Sequence, residues 1–339
     1  MPLVLQAALM LAAAWLAGRL ARLVKLPAVI GEVFAGILLG PTWFDLFATP
    51  SAGREMLSRI GLVAFLFVAG LEVSLDHVRR HGAAVAATSI GGIVLPFLSA
   101  LIAVRIAPSI WRQPIPIGDL SLFLGAALAI SALPVIARII LDLRLERLPL
   151  ASVVLASATI DDIIGWTLFA IIVGGKAPLT SLTAVPFLLG ALLSARLGRN
   201  EKLRKIVILL LAPFFFVSLG LRVNFIANFD WLLVLVVIVI ASIGKIAGVI
   251  VGSRIGGFAM REAAAIAMAM NARGAVEMVL ASVALQVNVI DGRMFVALVT
   301  MAVFTSAIAG PSMQVKLSRS LHAESNSLQA AEPASGPAA

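Results

Sequence analysis

The sequence predicts an all-α, polytopic membrane protein, and three observations predict it. Of 339 residues, 61% are hydrophobic and 13% charged, with a mean hydropathy of +1.08, which leaves too little polar surface to cover a soluble globule. Apolar runs near the roughly 20 residues that a membrane helix needs follow one another through most of the chain. These runs are continuous rather than alternating, so they do not read as barrel strands, and helix is the remaining way to satisfy backbone groups in lipid.

The runs cover roughly 3 to 24, 28 to 47, 60 to 76, 83 to 107, 118 to 141, 151 to 174, 184 to 197, 205 to 223, 231 to 253, 263 to 288 and 294 to 313. No basic residue precedes the first, Arg19, Arg22 and Lys25 cluster at its end, and it has spanning length, so a retained helix with its N-terminus outside is expected rather than a signal peptide. The fifth is interrupted at Ser131-Ala132-Leu133-Pro134. The sixth carries Thr159, Asp161 and Asp162 in its middle. The seventh, 184 to 197, is short. The ninth holds Lys245 and a stripe, Gly244, Gly248, Gly252 and Gly256, spaced as a close helix-packing face. The tenth contains Asn271, Arg273, Gly274 and Glu277, the Asn and Gly weakening its helix. After the eleventh, the residues from 314 read as a cytoplasmic tail, disordered from about 320 because Ala, Ser, Pro and Glu dominate it.

Loop charges support eleven crossings, the short run included. Lys and Arg gather on the cytoplasmic side, and seventeen of the 26 basic residues fall at or after the ends of odd-numbered runs or in the tail, seven fall at the opposite ends and loops, and Lys245 and Arg273 lie in the middle of runs. The N-terminus is then outside and the C-terminus cytoplasmic, in a cell (inner) membrane. The formal net charge of +9 follows from that topology and from contact with anionic lipid headgroups, so no nucleic-acid partner is needed. The chain has no Cys, and His77, His81 and His322 lie outside the apolar runs, which leaves no ligands for haem or an intramembrane zinc. Phosphate-binding glycine loops and an HExxH helix are also missing, so neither a cofactor nor enzymatic catalysis is expected. His77 and His81 flank Arg79 and Arg80, either as a cytoplasmic pH sensor or as a plain solvated loop.

Charges at bilayer depth carry the functional signal, because each costs roughly 2.5 to 3.5 kcal/mol to insert. Asp161, Asp162, Lys245, Arg273 and Glu277 together sum to minus one, which suits capture of a cation. Neighbouring helix residues point about 100° apart, so one aspartate is expected to pair with a basic residue while the other faces the ion path. Burial favours a protonated carboxyl and a nearby ammonium the ionised form, so a proton and a metal cation can compete for the same oxygens. A purely structural ion-pair network would also hold helices together, but it has no need of two adjacent carboxylates. Arg273 and Glu277, at i and i+4, can simply neutralise each other. Interrupted helices at 131–134 and 271–274 relate runs four to six and nine to eleven as inverted three-helix units with a site between them.

Several segments together resemble a known family. They are Leu26-Pro27-Ala28-Val29-Ile30-Gly31-Glu32 with 36–41, Phe67 to Glu72, Ala156 to Asp162, Phe214 to Leu221, and Arg261-Glu262-Ala263 leading into Asn271 to Glu277. This chain is similar to the monovalent cation:proton antiporters, in their Kef-type, sodium:proton exchanger branch. The resemblance implies an inverted-repeat fold with two discontinuous, crossing helices, and a homodimer. A mobile core, mainly 83–174 and 231–313, would move against a dimerisation scaffold, mainly 1–76 and 184–223, within a transport domain of 1–313. It implies that Asp162 is the proton-accepting carboxylate that transiently binds Na+ or K+, with Thr159 and Ser131 contributing, and that Asp161 pairs with Lys245 when no ion is bound. Arg273 and Glu277 match the second discontinuous helix. Leu133 stands where relatives often carry Thr. Only about ten residues, near Gly174 to Thr183, stand where relatives usually have two further helices, so the chain is shortened by about two helices. The function implied is exchange of Na+ or K+ for H+ by alternating access; the alternatives are a Kef-like efflux channel and a transport-incompetent shortened homologue with a structural role.

Overall fold

The computed structural model describes residues 2–24, 26–47, 51–71, 82–143, 145, 148–174, 184–197 and 201–331. Within them every apolar run contains helix and no strand occurs. In order these are α1 (Leu3–Leu23), α2 (Ala28–Leu39), α3 (Ala52–Leu71), α4 (Gly82–Ile106), α5 (Ile117–Ala129), α6 (Leu133–Asp142), α7 (Pro149–Gly174) and α8 (Ala184–Leu197). They continue as α9 (Glu201–Ile206), a π-helical turn (Val207–Leu211), α10 (Ala212–Leu221), α11 (Trp231–Ile255), α12 (Met260–Met270), α13 (Ala275–Gln286) and α14 (Gly292–Ala331). By length and composition, six helical spans among the described residues can cross a membrane unaided, and α12 with α13, bent by 44°, forms a seventh. Large apolar side chains such as Leu16, Leu192 and Ile243 stand on the outside, as lipid contact requires.

Two sets of helices pack mainly among themselves: α1, α2, α3, α8 and α10 in one, α4 to α7 with α11 to α14 in the other. They meet at α7 and α8, where Trp166 stacks on Phe187 with ring centroids 5.9 Å apart. Among the closest helix pairs is α4 with α11. Gly91 and Gly248 face each other there so closely that a Cβ on either would overlap the other's carbonyl oxygen, and Gly252 sits likewise on Ala87. The glycine stripe expected to be a packing face is therefore the seam that joins the first helices of the two repeats.

Three boundaries differ from the sequence reading. α2 stops at Leu39 rather than near 47, because Gly40 and Pro41 end the helix and 40–47 turn back. α3 begins at Ala52, eight residues early, its first turn held by Glu55 rather than by apolar residues. The backbone of α14 continues as helix to Ala331, where a disordered tail was expected; Ser, Leu, Gln and Ala there are compatible with helix, and Pro occurs only further on. His77, His81, Arg79, Arg80, most of the 174–183 connection and 332–339 lie outside the described residues.

Side-chain caps fix two helix starts of the second repeat. Asp230 accepts the N–H groups of Leu232 and Leu233 at 3.1 Å to start α11, and Asp291 accepts that of Met294 at 2.9 Å to start α14. Arg293 bridges both carboxylates, at 3.2 Å from Asp230 and 3.4 Å from Asp291.

Candidate functional site

The site forms where two helices break. Pro134 has no N–H to return to the Ile130 carbonyl four residues earlier, so α5 ends at Ala129, the chain runs extended through Ile130 and Ala132, and α6 restarts with the proline in its first turn. In the second repeat α12 ends at Met270 and α13 starts after Gly274. The two interruptions touch: Ala132 N–H donates to the carbonyl of Ala272 at 2.9 Å. A Cβ on Gly274 would lie 3.0 Å from Val135 Cγ2 and 3.1 Å from Ala132 Cβ, so glycine lets the breaks close on each other.

α7 runs beside this crossing and delivers Asp161 to it. Lys245 Nζ, from α11, sits 2.6 Å from Asp161 Oδ2, with both side chains fully buried. Its other two protons go to backbone: the Ala129 carbonyl at 2.6 Å and the Gly92 carbonyl at 2.9 Å. Ala129 is the last residue of α5 and its carbonyl is one that the helix cannot satisfy. Ser131 Oγ lies 3.0 Å from both Asp161 Oδ2 and the Met270 carbonyl, so one hydroxyl serves the carboxylate and the second broken helix.

Arg273 completes the same helix end. Its Nη1 donates to the Ala127 and Ile130 carbonyls at 3.2 and 3.3 Å, and Nη2 to that of Leu128 at 2.6 Å. With Lys245 on Ala129, two cations cap four consecutive carbonyls at the negative end of α5. Arg273 Nη1 also lies 3.5 Å from Glu277 Oε1, as i,i+4 spacing allows, and Ser306 of α14 donates to the Arg273 carbonyl. Asn271 Nδ2 reaches Ser242 Oγ at 3.4 Å, tying the break to α11.

The candidate residues thus divide. Asp161, Ser131, Lys245, Arg273 and Glu277 are linked around the crossing, Pro134, Asn271 and Gly274 shape it, and Asp162 is buried at the next position on α7. Thr159 does not join them through its proton: its hydroxyl donates to the Leu155 carbonyl of its own helix at 2.9 Å. Sequence reasoning missed the Gly92 and Ala129 carbonyls, Ser242 and Ser306. For Gly92 a signal existed, since Pro96 stands four residues on and removes its helical donor. Among the described residues no three His, Cys, Asp or Glu side chains cluster as a resident metal would need.

The family model "Sodium/hydrogen exchanger, transmembrane" matches residues 8–186 and 180–318, its two stretches meeting in the region where the sequence places the missing helices. The chain is 28% identical to the Na(+)/H(+) antiporter NhaS4 of Synechocystis sp., over 84% of its own length and 90% of the relative's. It is 24% identical to the Na(+)/H(+)-K(+) antiporter GerN of Bacillus cereus, over 91% and 95% respectively. Cation/H(+) antiporter 20 of Arabidopsis thaliana is 26% identical over 97% of this chain, which spans about half of that relative's length. In structure the chain is similar to the sodium proton antiporter MjNhaP1 from Methanocaldococcus jannaschii, with a TM-score of 0.64 over 94% of this chain and 97% of the other at 16% identity. This multi-pass membrane protein, a transporter by descent and not an enzyme, belongs to the sodium/hydrogen exchanger family.

Proposed function

We propose that this protein is a secondary antiporter that exchanges cytoplasmic Na+ or K+ for external protons by alternating access around Asp162. The observation that carries the reading is the buried Lys245–Asp161 pair, held at 2.6 Å where the two broken helices cross and one residue from Asp162. A cation entering here meets carboxylate oxygens and freed backbone carbonyls, hard donors that suit Na+, K+ and Li+ alike. Its charge competes with the Lys245 ammonium for Asp161 and with a proton for Asp162. Binding therefore expels protons, and a proton returning from the other side expels the cation. Because a ligand can shift a conformational equilibrium only through differential affinity, the crossing must rearrange between inward-open and outward-open states for exchange to be coupled. In this reading the helices around the site form the mobile core, and α1 to α3 with α8 and α10 form the scaffold of a homodimer in the cell membrane, N-terminus outside and C-terminus cytoplasmic.

The test is reconstitution in liposomes carrying a pH gradient, with proton movement recorded on adding Na+, K+ or Li+. Cation-dependent proton movement supports antiport and names the ion. Cation flux without proton movement supports a gated channel instead, and folded protein that moves neither supports a structural role for a shortened homologue.

A further inference from the structure

The sequence repeatedly places a proline four residues after a carbonyl that another side chain then claims. Pro134 frees Ile130, taken by Arg273; in the other helix set Pro213 of α10 stands four residues after Leu209, whose carbonyl, in the π-helical turn, takes Trp15 Nε1 at 2.7 Å. Pro96 lies inside α4 and frees Gly92, whose carbonyl receives Lys245 Nζ at 2.9 Å. The surroundings are built for that contact. Gly91 and Gly248 bring α4 and α11 to backbone contact, and the lysine lies right beside Gly92, where a Cβ would stand in ordinary contact with Nζ at 3.6 Å and tightly against Val249 Cγ2 at 3.0 Å.

We propose that Pro96 is a positioning residue for ion exchange: by withholding the helical N–H from the Gly92 carbonyl, it reserves an acceptor on α4 for the Lys245 ammonium. The inference rests on the antiport reading and adds a part to it. When a cation occupies the site and Asp161 turns to it, the ammonium loses its carboxylate. It then has the Ala129 and Gly92 carbonyls left, and a buried ammonium with fewer acceptors is held less well. The charged groups that act on it are Asp161 and Asp162 on α7, Glu277 on α13 and, through the α5 carbonyls, Arg273 in the break between α12 and α13. α4 offers only backbone, so the freed carbonyl is that helix's whole contribution to the lysine.

Substituting Pro96→Ala returns an N–H that competes for the Gly92 carbonyl, and Ala in a helix carries no folding penalty of its own. Purified wild type, Pro96→Ala and Pro213→Ala are compared by the rise in Tm that saturating Na+ or K+ produces, measured from pH 5.5 to 9.5. The proposal expects the pH midpoint of that rise to increase by about half a unit in Pro96→Ala, because an ammonium that shares its Gly92 acceptor supports the ion-bound state less and the cation then competes less well with protons. Pro213→Ala is expected to keep the wild-type midpoint, because Pro213 is a helix proline of the other helix set and makes no contact with Lys245. A Pro96→Ala curve that superimposes on wild type overturns the proposal, and so does an equal displacement in Pro213→Ala, which would mark a general effect of helix prolines. A wild type with no cation-dependent change at any pH contradicts the antiport reading itself, which separates the two failures.

Discussion

Ala132 donates its backbone N–H to the carbonyl of Ala272 at 2.9 Å, so the two helix interruptions are joined by main chain and not only by side chains. Anything that moves one break must move the other. Gly274 sits at that contact, and Gly274→Val would drive methyl groups into Val135 and Ala132. The expected result is a loss of about 1–3 kcal/mol by overpacking and at least a tenfold fall in cation-driven proton movement, read by thermal unfolding and by liposome flux on the same preparation.

Asp161→Asn leaves the Lys245 ammonium buried with only carbonyl partners. Removing one member of a buried pair typically costs about 3–5 kcal/mol, and the Ala129 and Gly92 contacts place this case at the lower end. Adding Lys245→Met removes the stranded charge, so the double variant is expected to be more stable than Asp161→Asn alone. A thermal-unfolding double-mutant cycle checks this, and additive losses would contradict the pairing.

Arg273 holds three carbonyls of the α5 terminus as well as Glu277, so Arg273→Met is expected to destabilise by about 3–5 kcal/mol, with Arg273→Lys between it and wild type, because an ammonium cannot reproduce the planar fork. Yield and Tm after purification in detergent measure both. If the arginine did no more than neutralise Glu277, Arg273→Lys would match wild type.

Gly248 on the α4–α11 seam and Gly82 at the exposed start of α4 provide a contrasting pair of substitutions. A Cβ at Gly248 meets the Gly91 backbone, whereas one at Gly82 meets nothing within 4 Å. Gly248→Ala is expected to lower Tm clearly and to slow transport by pushing the two helices apart, while Gly82→Ala stays within about 0.5 kcal/mol of wild type. Unfolding curves for the two variants distinguish a packing seam from a generally intolerant helix.

Much of this was legible in the chain because membrane helices announce themselves by length and hydropathy. The interruptions at Ser131 to Pro134 and Asn271 to Gly274, and the glycine stripe on α11, are local chemical signals that survive into the structure. The capping of α5 by Arg273 and Lys245 was not legible. Those contacts join residues far apart in sequence, and they depend on how the breaks cross, which no periodicity encodes. Thr159 is read into the site because a polar side chain in an apolar run suggests one, and its proton goes to the nearer carbonyl at i−4 that its own helix offers. The end of α2 could have been read from Gly40-Pro41, and the run was drawn too long because hydropathy alone continues past the turn.

The most direct test of Asp162 as the exchanging carboxylate is proton release on cation binding. Purified protein in weakly buffered detergent is titrated with Na+ or K+ while pH is recorded, for wild type and Asp162→Asn. The account predicts prompt acidification by wild type and its loss in a folded Asp162→Asn variant. Undiminished release from Asp162→Asn would contradict the role assigned to that residue, and cation binding by wild type without any release would contradict exchange.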